Sequence, residues 1–122
     1  MMRVEDIIAA EAEKTGDDAN QMIQVVSQLV DSQEGILLRK NDSVMLVVRI
    51  GGDDVEMNLF TADSPDVLPE SLKYFIDKIK ASDLKRVYGT IEFNAPILNM
   101  LRDFGIDVQK SDLPKYQWMA NV

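Results

Sequence analysis

Val44-Met-Leu-Val-Val-Arg-Ile-Gly51-Gly-Asp-Asp-Val55-Glu-Met-Asn-Leu-Phe60 is the stretch on which the fold turns. Val44, Leu46, Val48 and Ile50 alternate with Met45, Val47 and Arg49, so the segment is apolar on both faces. That is the pattern of a strand at the centre of a sheet, covered on both sides. Gly51-Gly52-Asp53-Asp54 supplies glycines that tolerate the positive φ of a tight hairpin. Val55, Met57 and Leu59 then alternate with Glu56 and Asn58, which predicts a strand with one wetter face.

Upstream, Val4, Ile7, Ile8 and Ala12 follow helical spacing, and Thr15-Gly16 stops them. Asp17 or Asp18 is placed to cap a second helix. Its apolar set, Met22, Ile23, Val25, Val26, Leu29 and Val30, predicts a broad buried stripe ending at Gly35. Ile36-Leu37-Leu38 is a short apolar run leading into the central strands.

Downstream, Thr61 to Pro69 is rich in Asp, Ser and Pro and reads as a loop, with Pro69 suited to a helix's first turn. Leu72, Phe75, Ile76 and Ile79 then fall at i, i+3, i+4 and i+7, with Lys73, Lys78 and Lys80 outside. Residues 87–93 are rich in β-branched and aromatic types and read as a strand. Asn94 is placed to cap a helix carrying Ile97, Leu98, Leu101 and Phe104 on one face and stopping at Gly105. Leu101 and Phe104 are expected in the core, Arg102 and Asp103 in solvent. Ile106 and Val108 suit an extended segment, and 116–120, with Trp118, a last strand. The order α-α-β-β-β-α-β-α-β predicts one α/β domain, residues 1–122, with a mixed sheet flanked by helices. Segments 44–50, 55–60 and 87–93 are expected as neighbours, the last parallel to the second.

Composition narrows the chemistry. The 122 residues contain no cysteine and no histidine, which removes thiolate metal sites, disulfides and the commonest general base. No metal site is expected. The net charge is −8, and residues 1–34 hold eight acids against Arg3 and Lys14. Nucleic-acid contact through basic residues is therefore disfavoured, and a basic partner or cationic substrate is easier to accommodate. No apolar run approaches the ~18 residues of a membrane span, and Met1 to Asp6 has no apolar signal-peptide core. A soluble cytoplasmic protein without membrane contact is expected.

Several side chains are candidates for chemistry. Glu92 could act as a general base if burial raised its pKa, and Glu56 and Asn58 share that strand-alternate reading. On a strand such residues also serve simply as the solvent-facing alternates. Tyr88 and Tyr116 could donate a proton, or pack and hydrogen-bond locally. Asp17-Asp18 and Asp53-Asp54 suit capping and turn roles better than half of a metal site. Seven methionines suit adaptable packing or an interaction face.

Beyond element order, the stretch after residue 93 resembles the GNAT N-acetyltransferase superfamily. Many members carry Asn, a small or apolar residue at three, Tyr at seven, Gly at eleven and an apolar residue at twelve. Asn94, Ile97, Leu101, Gly105 and Ile106 fall at those offsets. The resemblance implies a GNAT-like fold, acetyl-CoA as the family's cofactor, Asn94 as a coenzyme contact and the first two helices on the acceptor side.

Two departures point away from catalysis. Members hold the coenzyme pyrophosphate with a loop resembling Gln/Arg-x-x-Gly-x-Gly/Ala, whose backbone N–H groups face the anion. Thr61-Ala-Asp-Ser-Pro-Asp-Val-Leu-Pro-Glu70 has no glycine and no base, and it carries two prolines and three acids, with Lys73 the nearby cation. The tyrosine that protonates the leaving thiolate in resembling enzymes is Leu101 here. A degenerate member without cofactor is expected: a non-catalytic protein-interaction or structural module with a protein partner or homo-oligomeric state. Similar small domains occur in tailed phages, which makes a virion component one form of this reading. The alternative is a divergent N-acetyltransferase moving acetyl from acetyl-CoA to an amine.

Overall fold

The hairpin glycines sit where the alternation breaks in the computed structural model, which describes residues 2–62, 64–90 and 95–122. Gly51 and Gly52 have φ of 138° and 56°, in the left-handed half of φ space that residues with a Cβ avoid. They join β2 (Ser43–Gly51) to β3 (Asp54–Thr61). Before them come α1 (Val4–Thr15), α2 (Ala19–Asp31) and β1 (Gly35–Lys40). After them come a 3₁₀ turn (Pro65–Val67), α3 (Leu68–Lys80), β4 (Arg86–Gly89), α4 (Ala95–Asp103), β5 (Asp107–Gln109) and β6 (Trp118–Asn121).

The strands form one sheet in the order β1-β2-β3-β4-β6-β5. β1, β2 and β3 pair antiparallel, β4 joins β3 parallel through the α3 crossover, and β6 returns antiparallel between β4 and β5. The expected neighbours and their directions are therefore present.

Alternation sends the two faces of the sheet to different helices. Met45, Val47, Val55 and Met57 pack against Leu72, Phe75 and Ile76 of α3 and Leu101 of α4. Phe75 is fully buried and meets Phe60 edge-on at 6.1 Å between ring centroids. Burial of such a ring contributes about 1.5–3 kcal/mol. Val44, Leu46 and Leu59 face the other way, onto Ile7 and Ile8 of α1 and Val26 of α2. The Asp18 carboxylate accepts from the Gln21 N–H at 3.2 Å and caps α2, as its position predicts.

Four expectations need correcting. α2 stops at Asp31, and Gly35 opens β1 instead of ending the helix. A Cβ at Gly35 would lie 2.9 Å from Leu29 Cβ, so the glycine serves the close approach of α2 to the sheet. The stripe of α2 is only half covered: Val26 is buried, but Val25 and Val30 are 46% and 37% exposed. As expected, Leu101, 1% exposed, lies in the core, Phe104 packs against it part-buried, and Arg102 and Asp103 face solvent. The extended segment after α4 becomes a separate strand, β5, holding Val108 but not Ile106. The last strand begins at Trp118, and Tyr116 lies in the turn before it, its N–H donating to Leu113 O. The described part of β4 spans 86–89; Glu92 and Asn94 lie outside the described residues.

Candidate functional site

The irregularity that shapes the site is in β3. Leu46 pairs with Leu59 and Val47 with Met57, which leaves Asn58 unmatched as a β-bulge. Among the described residues, parallel pairing with β4 ends at Met57 and Gly89, immediately before that bulge. The remainder of β3, through Thr61, continues in register with β2. A bulge bends its strand and re-aims neighbouring side chains, so Glu56 and Asn58 are presented differently here than on a regular ladder.

Glu56 precedes the bulge and points away from Val55 and Met57, toward the α1–α2 side. It gathers two hydroxyls. Tyr116 Oη donates to Glu56 Oε2 at 3.0 Å, and Thr90 Oγ1 donates to Glu56 Oε1 at 3.3 Å. Tyr88 pairs with Glu56 across the parallel ladder, and its ring lies 5.0 Å from that of Tyr116. Both tyrosines are buried, at 7% and 6% exposure. Lys115 Nζ stands 4.8 Å from the Tyr116 ring centroid. Its ammonium is held above the ordinary lysine value, first by Tyr116 and then by the Glu56 charge. At the start of the same ladder Arg86 Nε donates to Asp54 Oδ1 at 2.9 Å, and that contact raises the guanidinium pKa.

Beside the bulge a groove of ≈ 390 Å³ runs between α2 and the sheet. Leu46, Asn58 and Leu59 line it from the strands, Met22, Val25 and Leu29 from α2, and Asp17 and Asp18 from the α1–α2 turn. Its volume is in the range of small-molecule sites. Both aspartates already hold structural bonds, Asp17 from the Thr15 hydroxyl at 2.6 Å and Asp18 from the Gln21 N–H.

The segment from β3 into α3 combines prolines, acids and a short 3₁₀ turn. The Val67 N–H donates to Ser64 O, and Pro65 and Pro69 carry no N–H. Val67 precedes α3 with no side-chain cap, a feature that by itself favours an anion at the helix start. Glu70 in the first turn of α3 is paired with Lys40 Nζ at 2.9 Å. That pair corrects the expectation that Lys73 is the only nearby cation: Lys40 also arrives, from the end of β1. Leu101 does not reach a cleft; it is buried among the residues under α3 and α4.

Of the sequence candidates, the structure brings together Tyr88, Tyr116 and Glu56. It places Asn58 at the bulge and in the groove. Asp53 and Asp54 stand at the hairpin facing Lys85 and Arg86. Thr90 and Lys40 escaped sequence reading, since each meets its carboxylate over 34 and 30 residues with no local pattern to announce it. Among the described residues no group of three or more His, Cys, Asp or Glu is placed to hold a metal ion, and no helix is long and apolar enough to cross a membrane.

No protein-family model matches this chain, and no curated protein matches it. Solved structures do. An acetyltransferase of the GNAT family from Staphylococcus aureus Mu50 aligns with a TM-score of 0.61 at 14% identity, covering 97% of this chain and 89% of that one. Aminoglycoside 6'-acetyltransferase type Ii aligns with a TM-score of 0.63 at 12% identity, covering 98% and 89%. Tetrahymena GCN5 aligns with a TM-score of 0.50 at 10% identity, covering 97% and 82%. At these identities the likeness establishes the fold: a mixed six-stranded sheet flanked by helices on the GNAT plan.

Proposed function

We propose that this GNAT-fold domain is a non-catalytic, acetyltransferase-like module that works by binding another protein. The observation that carries the reading is the 61–70 segment. A pyrophosphate site needs free backbone N–H groups and a positive local field. Here two prolines remove donors, the Val67 N–H is already bonded to Ser64 O, Asp66 adds like charge, and the nearby Lys40 is engaged by Glu70. Leu101, at the family's tyrosine offset, is a core residue and carries no proton to give. A virion component is one setting that suits such a module.

The test is a calorimetric and thermal-shift titration with acetyl-CoA up to millimolar concentration. The expected result is no saturable heat and no shift in Tm, because a ligand that binds the native state must raise its stability. A micromolar Kd that weakens with salt and with Lys40→Ala or Lys73→Ala would overturn the reading.

One observation favours a second reading, a divergent N-acetyltransferase acting on an amine. Glu56, next to the bulge and bonded to Tyr116 and Thr90, supports it as the carboxylate that would take a proton from an ammonium group. Acetylation of an amine panel that is lost in Glu56→Gln, with the fold intact, would promote it.

A further inference from the structure

β1 and β5 are the two edges of the sheet, and they are built differently. β5 has three residues, and its Asp107 carboxylate accepts from Gln109 and Asn121. Short strands and charges are ordinary guards against pairing with another chain. β1 has six residues, runs beside β2 without a register shift, and carries neither proline nor charge from Gly35 to Leu38. Ile36, Leu37 and Leu38 are each half-buried, the first and third on the α3 side and the second on the α1–α2 side.

The phase of the ladder tells which backbone groups are spare. The Arg49 N–H donates to Glu34 O, and the two-residue turn Asn41-Asp42 closes on Lys40 and Ser43. Residues 34, 36, 38 and 40 therefore bond to β2, and the N–H and C=O of Gly35, Leu37 and Arg39 point outward. Among the described residues those outward groups meet no partner.

We propose that β1 is a self-pairing edge: two copies of the chain join β1 to β1, antiparallel, about a two-fold axis at Leu37, so that one sheet runs through both. Such an interface is isologous and closes at two chains. The sequence of β1 is its own complement in this register. On the α3 side, Glu34, Ile36, Leu38 and Lys40 of one copy lie opposite Lys40, Leu38, Ile36 and Glu34 of the other. Two apolar pairs sit inside two opposite-charge pairs, each of which favours strand pairing. Glu34 is exposed and makes no ion pair among the described residues. The Lys40 side chain, 28% exposed beside Glu70, has room for a second carboxylate. On the other face Leu37 meets Leu37. Arg39, opposite Gly35, is drawn back onto its own hairpin by Asn41 O, Asp42 and Met2 O. Slipping the pair by two residues toward the hairpin would set Arg39 against Arg39, which selects the register centred on Leu37.

This goes beyond the preceding reading: it names a second copy as a partner and does not depend on whether the domain is catalytic.

The test combines sedimentation equilibrium with hydrogen exchange on the full chain over a concentration series. A reversible dimer is expected, with the Leu37 and Arg39 amides gaining protection as it forms. The Ile36 and Leu38 amides, already bonded to β2, should not change. Lys40→Glu and Glu34→Lys should each weaken the dimer by about tenfold or more, since each turns two attractive pairs into repulsive ones. The double variant should return to within about threefold of wild type, because it exchanges the charges and keeps every pair. Within one chain the two positions stand about 20 Å apart along the strand, so rescue acts only between copies. Thermal melting checks that each variant folds. The proposal is overturned by a chain that stays monomeric to about 1 mM, by a dimer that leaves the Leu37 and Arg39 amides unprotected, or by a double variant no better than the single ones. Protection of those amides only by an unrelated extended peptide of alternating valine and threonine would assign the edge to another protein and overturn it as well.

Discussion

Tyr116 and Glu56, sixty residues apart in the chain, are joined by a 3.0 Å hydrogen bond from the phenol to the carboxylate. The bond ties the turn before β6 to the strand segment just ahead of the bulge. Tyr116→Phe removes only the donor and keeps the ring against Tyr88. Hydrogen bonds to charged groups contribute about 1.5–3 kcal/mol when buried, so for this part-buried pair the loss should be near 1.5 kcal/mol. Urea denaturation measures it, and an unchanged midpoint would show that the bond carries no stability. Thr90→Val, at 3.3 Å, should cost less.

Gly89 faces Trp118 across the β4–β6 ladder so closely that a Cβ would lie 1.7 Å from the indole Cε2. Trp118 is itself buried and has little room to move. Gly89→Ala should therefore destabilise by about 1–3 kcal/mol or more through overpacking. The penalty should shrink in a Trp118→Leu background, where the ring is gone. A double-mutant cycle with additive losses would refute the steric account.

Leu101→Ala should cost about 2–5 kcal/mol, the range for large-to-small changes in a core. The side chain is 1% exposed and packed among Leu72, Phe75 and Trp118's cluster. Thermal unfolding reads the effect. A loss below 1 kcal/mol would place Leu101 at a yielding, cleft-like position and reopen the catalytic reading of its site.

Asp18→Ala should cost about 0.5–2 kcal/mol, because it removes the carboxylate that satisfies the Gln21 N–H at the start of α2. Asp17→Ala should cost less, its bond being to the exposed Thr15 hydroxyl. The proper control is Asp18→Asn, which keeps a capping oxygen and should restore most of the stability while lowering the charge. Hydrogen exchange at the first turn of α2 localises the change. Equal protection in Asp18→Ala and wild type would contradict it.

Much of the fold was legible because its signals are local. Alternation from Val44 to Ile50, the two glycines after it and the i, i+3, i+4, i+7 spacing of α3 each act within one element, and the structure places each as read. The site was legible only in its parts. Tyr88, Tyr116 and Glu56 were all candidates, but nothing in their spacing says that the phenol and the carboxylate meet. Bulge position is a property of two strands together, and Asn58 stands out only once Leu46–Leu59 and Val47–Met57 are both known.

The sequence by itself determined the element types and their order through α4, the acidity of the first third, and the absence of histidine, cysteine and loop glycines that bound the chemistry. These follow from residue identity and from periods of two or 3.6 residues. Tertiary structure decided the rest. It buried Val26 and exposed Val25 one residue away, because one residue turns about 100° round a helix and the sheet covers only part of the apolar stripe. It also brought Lys40 to Glu70 and Thr90 to Glu56, pairings that exist only when β1 reaches α3 and β4 runs beside β3. Periodicity reports which side of an element is apolar; how much of that side another element covers depends on the packing of distant segments.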